Sequence, residues 1–137
     1  MSNWVGGNGD SPQNQWRGAW GLSKDYVVFR KLTQFLYPGP AMTYVFLDER
    51  QDSINDGYFC CEMDGYPGTN STKIADWPAS YHGRAGGFSF ADGHSEIHRW
   101  RDPRTMPPIV TKITLGVPSP NNLDVLWMQD HCTRAPN

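Results

Sequence analysis

Hydrophobic and polar positions alternate most clearly near the middle of the chain. The segment 87–100 reads GFSFADGHSEIHRW, with aromatic and polar residues alternating on both sides of Asp92-Gly93. Asp-Gly is the favoured pair for a two-residue hairpin turn, so this pattern predicts two antiparallel strands. In the register that such a turn implies, Ala91 pairs with His94. The core face then carries the opposed pairs Phe90–Ser95 and Phe88–Ile97, and the polar face carries Ser89, His94, Glu96, His98 and Trp100.

Two other runs of β-branched and aromatic residues also predict strands. Residues 42–47 read MTYVFL and residues 58–63 read YFCCEM. Because such residues favour extended positions, we expect these runs to pair, with residues 48–57 as a long hairpin loop. The polar, turn-rich segment 65–75 is expected to cover a sheet edge.

Capping residues and apolar spacing predict two short helices. Ser23 is a candidate cap for a helix that ends before Pro38-Gly39-Pro40. Its shared apolar face would carry Val28, Leu32, Phe35 and Leu36. Ser119-Pro120 is typical of a cap and first turn, and it predicts a second helix that runs to about His131. The apolar residues of this helix are Leu123, Leu126 and Trp127.

Length and composition restrict the fold to one small domain. The chain has 137 residues, of which 38% are hydrophobic and 13% aromatic, and it contains 14 glycines and 11 prolines. A chain of this length builds one core, and its many turn residues require long loops. We therefore predict a single α+β domain over residues 1–137, with a small antiparallel sheet of hairpins and short helices. Tryptophans are expected to hold the loops against the sheet.

Charge and hydropathy argue against several classes of function. The formal net charge is −2, which leaves no basic surplus for nucleic acid. No run of apolar residues is long enough to span a membrane, so a soluble chain is expected. The sequence contains no GxSxG elbow, no HExxH motif, no phosphate-binding loop and no dinucleotide-binding glycine motif.

The chain contains three cysteines, Cys60, Cys61 and Cys132. Adjacent cysteines in an extended segment point to opposite faces, so one of the first two can bridge to Cys132. Because the number of cysteines is odd, at least one of them is expected to remain a free thiol. A buried, inert thiol is favoured over a nucleophile for the cysteines next to Phe59.

An acidic loop follows the first predicted strand. Its carboxylates are Asp48, Glu49, Asp52 and Asp56, and Ser53, Asn55 and Gly57 lie among them. Calcium takes roughly six to eight oxygen ligands in flexible geometry, so this loop is a candidate calcium site with Asp92 as a fifth carboxylate. The EF-hand pattern is incomplete because Ile54 occupies its third position. The alternative is an acidic, solvated loop without a metal.

Histidines supply the other candidate chemistry. His82 precedes Asp92 by ten residues, and we expect it to reach the hairpin turn, where the carboxylate would fix its tautomer. A structural hydrogen bond is the first interpretation of that pair, and a metal ligand or a catalytic pair is the alternative. His94, Glu96 and His98 alternate on one strand face, which allows either a zinc site or an exposed polar face.

The spacing of His82 and Asp92-Gly93 resembles the H-X9-DG signature at the C-terminal end of a bacterial pilin-like family. The resemblance continues through FLDE at 46–49, DSINDG at 52–57, PASYH at 78–82, GGFSFADGH at 86–94 and Trp100. It implies an α+β globular head similar to type II secretion pseudopilins, here without the hydrophobic N-terminal pilin helix. It also implies a calcium ion near the C-terminal sheet and a location in the envelope or outside the cell.

Two functions follow as hypotheses. The first is a calcium-binding module for assembly or interaction, whose partners would be other pilin-like subunits. The second is a calcium-dependent hydrolase of small esters or lactones built on the same head. In that enzyme calcium would polarise the carbonyl group, and His82 or His94 would activate water with Asp92 in the site.

Overall fold

The computed structural model describes residues 1–6 and 26–135. The strands are β1 (Tyr44–Leu47), β2 (Lys73–Ile74), β3 (Ala85–Phe90), β4 (Ser95–Arg99) and β5 (Val117–Pro118), and the α-helix is α1 (Leu123–Asp130). Single-turn 3₁₀ helices span Leu32–Gln34, Pro40–Met42 and Pro103–Thr105. An antiparallel sheet has the order β1-β3-β4, and β2 pairs with β5. The predicted α+β class is therefore confirmed.

The central hairpin forms as predicted, but the predicted register is wrong by one residue. Strands β3 and β4 pair with Phe88 opposite Glu96. The loop has three residues, 91–93, and is closed by hydrogen bonds from Phe90 N to His94 O (2.9 Å) and from Gly93 N to Phe90 O (3.0 Å). Gly93 has a positive φ of 94°, whereas a two-residue type I′ turn would need a positive φ at Asp92 as well.

This shift exchanges the two faces of β4. Opposed residues of an antiparallel pair share a face, so the core face of β4 carries Glu96 and His98 opposite Phe88 and Gly86. Trp100 follows the same alternation and is buried against Phe88, with 5.8 Å between ring centroids. Ile97, which we expected in the core, is 67% exposed on the outer face.

Strand β1 pairs with β3 rather than with residues 58–63, so the expected long hairpin is wrong. Asp48 N donates to Gly87 O at 3.0 Å at the end of the β1–β3 ladder. Among the described residues, the strand pairing of 58–63 is limited to an isolated parallel bridge between Phe59 and Ser2. Most of residues 58–63 are buried, so their position is fixed by packing in the core and not by a hairpin with β1. Residues 48–57 remain a loop, as predicted.

The predicted first helix is wrong within the described residues, and Ser23 lies outside them. Only the turn Leu32–Gln34 is helical. Phe29 N donates to Trp4 O at 2.8 Å, so this part of the chain bonds to a distant segment instead of continuing a helix. Helix α1 confirms the second prediction, but its cap is Asn122, whose Oδ1 accepts from Asp124 N at 2.9 Å. Among the described residues, no helix has the length and apolar content needed to cross a membrane.

Tryptophans connect the loops to the core, as predicted. Phe88 lies at the centre, and Tyr44 and Trp127 pack edge-on against it at centroid distances of 5.3 Å and 5.0 Å. The Trp100 indole donates to Ala79 O at 2.8 Å. Trp4 and Trp77 make the same type of bond, to Cys61 O (2.7 Å) and to Thr114 O (2.9 Å). Trp16 and Trp20 lie outside the described residues.

Candidate functional site

Asp48 and His82 form the centre of the candidate site. Asp48 follows the last residue of β1, and its backbone O accepts from Ala79 N at 2.8 Å. Its carboxylate Oδ2 accepts from Gly87 N at 3.1 Å and lies 3.4 Å from His82 Nε2. His82 lies in the turn before β3, where its backbone N–H donates to Ala85 O at 3.2 Å. The end of β1 and the approach to β3 therefore bring the two side chains together.

The small size of Gly87 permits this arrangement. A Cβ atom at position 87 would lie 2.8 Å from Asp48 Oδ2. Any larger residue would therefore displace the Asp48 carboxylate from the backbone N–H that holds it.

The expected contact between His82 and Asp92 does not form. Asp92 Oδ1 instead contacts His94, at 2.6 Å from the ring Nδ1 and 3.1 Å from the backbone N. These hydrogen bonds, led by the one from the backbone, lower the pKa of Asp92. His82 precedes β3 and Asp92 follows it, so a strand of roughly 20 Å separates them.

A groove of about 420 Å³ opens beside Asp48 and His82. We call it the acidic groove. Its lining residues are Met1, Leu47, Asp48, Glu49, Ile54, Asp56, Gly57, Tyr81 and His82. Three of the predicted metal ligands and one predicted catalytic residue thus line a common surface.

Glu49 has a strongly perturbed carboxyl group in this groove. Burial is the main cause that raises its pKa to about 7, and the charges of Asp76 and Asp56 add to the rise. The Ser53 hydroxyl donates to Glu49 Oε1 at 2.9 Å, and this hydrogen bond acts in the opposite direction by lowering the pKa. Near neutral pH Glu49 therefore exists in both protonation states and can donate or accept a proton.

Asp52 is not among the residues that line the groove. It is buried in an ion pair with Arg50, whose Nε and Nη2 donate to its two oxygens at 2.7 Å and 2.8 Å. Val110 N donates to Oδ2 as well, at 3.0 Å. The hydrogen bonds from Arg50 are the main cause that lowers the pKa of Asp52. Both oxygens are therefore already used by the protein.

The five predicted calcium ligands do not meet as one set. Asp52 is paired with Arg50, Asp92 lies at the hairpin tip, and Asp56 Oδ1 accepts from Tyr58 N at 2.7 Å. In residues 1–6 and 26–135, no three His, Cys, Asp or Glu side chains lie close enough to hold a metal ion. The predicted set therefore does not fit a single ion as a whole, and calcium binding stays a prediction.

The histidines of the hairpin pack against aromatic rings. His94 stacks on Phe90 with 4.3 Å between ring centroids, and His98 stacks on Trp127 at 3.6 Å. Burial lowers the pKa of His98. His94, Glu96 and His98 do share one face of β4, as alternation required, but two of them serve the packing of the sheet. The zinc alternative therefore gains no support.

The three cysteines are thiols in the structure and are buried. Burial raises the pKa values of Cys60 and Cys132. A thiol with a raised pKa carries little of the reactive thiolate, which supports the interpretation of these residues as inert.

A second groove, of about 570 Å³, lies on the outer face of the three-stranded sheet. We call it the sheet groove, and its lining residues are Phe46, Leu47, Asp48, Gly87, Phe88, Ser89, Ser95, Glu96 and Ile97. Phe46 is 56% exposed and Ile97 is 67% exposed. The predicted register placed Ile97 in the core, so this surface was not predicted from the sequence. The run MTYVFL at 42–47 does not alternate hydrophobic and polar residues, so it carried no signal for the exposure of Phe46.

Comparisons of the chain with protein-family models, with curated proteins and with solved structures found no match. The resemblance to pilin-like domains therefore stays an expectation. The structure therefore has two candidate sites: the sheet groove, which has exposed apolar side chains, and the acidic groove, which has ionisable side chains. Leu47 and Asp48 line both grooves.

Proposed function

We propose that this domain is a pseudopilin-head-like module for assembly or interaction, and that it binds its partner through the sheet groove. The observation that carries the proposal is the exposure of Phe46 and Ile97 on one sheet face. Small residues, Gly87, Ser89 and Ser95, lie between them on that face. Large apolar side chains around a shallow groove are typical of protein interaction surfaces.

Site-specific photo-crosslinking tests this proposal. A photoreactive phenylalanine analogue at position 46 should give discrete adducts in the native host, and mass spectrometry should identify them as pilin-like subunits or copies of this chain. The same analogue at Leu123 is the control, since Leu123 is 64% exposed on α1. Equal adduct yields at both positions would contradict the proposal.

Calcium binding is a second part of the proposal, and it is supported by the acidic loop and by the pilin-like resemblance. Asp48, Glu49 and Asp56 line one groove but do not lie close enough together to hold an ion by themselves, so calcium would also need backbone oxygens of the loop or a rearrangement of these side chains. A ligand that binds only the folded state at about 100 times its Kd stabilises it by about 2.7 kcal/mol. Calcium should therefore raise the melting temperature, EDTA should lower it, and Asp48→Asn should weaken the response while Asp92→Asn leaves it unchanged. A melting temperature that is the same in calcium and in EDTA would exclude the metal.

The second candidate function is hydrolysis of small esters or lactones, and one observation favours it. Glu49, with a pKa of about 7, lines the same groove as the Asp48–His82 pair. Asp48 lies beside Nε2 of His82, so Nδ1 of the ring would take the proton from water, and Asp48 would stabilise the resulting imidazolium ion. Protonated Glu49 would deliver a proton to the leaving oxygen. If calcium binds, it supplies polarisation of the carbonyl group.

Substitution of His82 separates the two candidates. In an enzyme, His82→Ala should lower ester or lactone turnover by about 100- to 10,000-fold and leave melting nearly unchanged, because loss of a general base affects rate and not folding. In an interaction module the variant should only lose stability, and we expect this outcome. His94→Ala is the matched control, since His94 pairs with Asp92 outside the acidic groove. A folded His82→Ala protein that has lost a turnover shown by the wild type would establish the enzyme.

A further inference from the structure

Strand β4 has one edge paired with β3 and one edge that no other described strand pairs with. Phe90 N donates to His94 O, and Trp100 N donates to Arg84 O, both at 2.9 Å. Hydrogen bonding alternates along an antiparallel ladder, so the even-numbered residues of β4 bond to β3. The N–H and C=O groups of Ser95, Ile97 and Arg99 therefore point away from β3. Within the described part of the chain, no backbone group of another segment pairs with them.

We propose that two copies of this chain associate by antiparallel pairing of their β4 strands, centred on Ile97. The outward residues 95, 97 and 99 are symmetric about position 97. In this register Ile97 faces Ile97 of the second copy, and Ser95 faces Arg99 of the second copy. Each opposed pair exchanges both of its N–H···O bonds, so every outward backbone group of β4 is satisfied. The result is a continuous six-stranded sheet with two-fold symmetry.

Side-chain pairing across the interface selects this register over its neighbours. Centring on Ile97 places Glu96 opposite His98 of the second copy, twice by symmetry. Centring on Glu96 would oppose two carboxylates, and centring on His98 would oppose two imidazoles. Opposite charges or hydrogen-bonding groups across a strand pair stabilise it, whereas like charges destabilise it.

The outer face adds apolar burial to the backbone pairing. Ile97 is 67% exposed, and in this register the two copies of Ile97 meet across the symmetry axis. Native edge strands are usually protected by proline, charged side chains, a bulge or a covering segment. Strand β4 reads SEIHR, has no proline and pairs with β3 without a bulge, and in the proposed register its charged residues Glu96 and Arg99 face His98 and Ser95 of the second copy.

Disulfide trapping tests the register directly. An Ile97→Cys variant would place two cysteines in a hydrogen-bonded antiparallel pair, with about 5.5 Å between Cα atoms, which a disulfide can span. Oxidised glutathione should convert the two thiols into one disulfide, with release of two reduced glutathione molecules. The native thiols are buried, so the expected product is a covalent dimer through position 97. Ile109→Cys, at a loop position that is 46% exposed in the parent residue, leaves β4 intact and should give no covalent dimer.

Two variants separate loss of pairing from loss of folding. Ile97→Pro removes the outward N–H without removing a bond to β3, a position where edge strands tolerate proline. It should be monomeric by sedimentation velocity with an unchanged circular dichroism spectrum. Glu96→Lys removes both Glu96–His98 contacts and should raise the dimer Kd by about fivefold.

The outcomes that overturn self-association are distinct from those that overturn the proposed interaction function, on which this inference rests. A wild-type chain that stays monomeric in the micromolar range, with equal trapping of the variants at 97 and 109, refutes β4 pairing. At a dilution where the chain is monomeric, an Ile97→Cys thiol that does not react with a maleimide shows that another segment covers the edge, which also refutes it. Photo-adducts at position 46 with a different protein would then leave the interaction function standing.

Discussion

Replacement of Arg50 by methionine tests how the acidic loop is anchored. Arg50 is 1% exposed, and its guanidinium donates to both oxygens of Asp52 at 2.7 Å and 2.8 Å. It also donates to Pro107 O (2.9 Å) and Pro108 O (3.0 Å), which ties the loop after β1 to the segment before β5. Methionine has an apolar side chain of similar length and none of the hydrogen-bond donors of the guanidinium group. Asp52 then remains buried without its counter-charge.

The expected cost follows from that uncompensated charge. Removal of one partner of a buried ion pair costs about 3–5 kcal/mol. This is a large share of the roughly 5–15 kcal/mol that stabilises a typical domain. For a chain of 137 residues each kcal/mol corresponds to about 3–5 °C. Arg50→Met should therefore lower the melting temperature by about 10–20 °C.

Arg104 provides a matched control in the same chain. It forms the same type of two-bond contact with a carboxylate two residues away, with Nη2 at 2.7 Å from Asp102 Oδ2 and Nε at 3.0 Å from Oδ1. Its side chain is 49% exposed, and an exposed pair contributes about 0–1 kcal/mol. Urea unfolding of Arg50→Met and Arg104→Met at pH 7 should therefore give very different losses. Equal losses would refute the claim that burial decides the value of the pair.

Acid titration gives a second readout with a defined sign. Arg50 lowers the pKa of Asp52, so the stabilisation by this pair is present above the unfolded pKa of about 3.9 and is lost as pH falls through the folded value. In Arg50→Met, burial should instead raise the pKa of Asp52, and protonation then relieves the buried charge. The stability difference between wild type and variant should shrink as pH is lowered from 7 towards 4. A difference that is constant with pH would show that the lost donors, and not the charge, carry the effect.

Three further predictions concern the hairpin, the groove and the helix. Gly93→Ala should cost about 1–2 kcal/mol in urea unfolding because Gly93 has a φ of 94°, whereas Gly57→Ala, without a positive φ and with open space at its Cβ, should be neutral or slightly stabilising. Because Glu49 has a raised pKa, its contribution to stability is present below about pH 4.5 and is lost as pH rises to about 7. Glu49→Gln should therefore make the loss of stability over this pH range smaller by about 1 kcal/mol, a figure that is lowered because Glu49 is partly exposed. A variant with the same pH dependence of stability as the wild type would contradict the raised pKa of Glu49. Asn122→Ala should cost about 1 kcal/mol and lower the helical circular dichroism signal, because its side chain caps α1.

Local sequence determined those elements whose signal lies within a few residues. The Asp-Gly pair produced a hairpin, and the helix at 123–130 appeared near its predicted position. The register did not follow from the same signal, because Gly93 with a positive φ fits either a two-residue or a three-residue loop. Packing of Phe88 and Trp100 into one core decided between them, and that packing depends on residues distant in sequence.

In the candidate site too, some features were predictable from the sequence and others depended on the fold. The cluster of carboxylates after β1 and the position of His82 at the approach to β3 are properties of the sequence alone, and they predicted an ionisable surface. Only the tertiary structure brought Asp48 to His82 and buried Asp52 with Arg50, whereas the contact between Asp92 and His94 is local. The physical reason is burial. A carboxylate enclosed by the core must take a counter-charge there, whereas one left at a groove keeps its oxygens for a ligand, and spacing along the chain does not record which of them the core encloses.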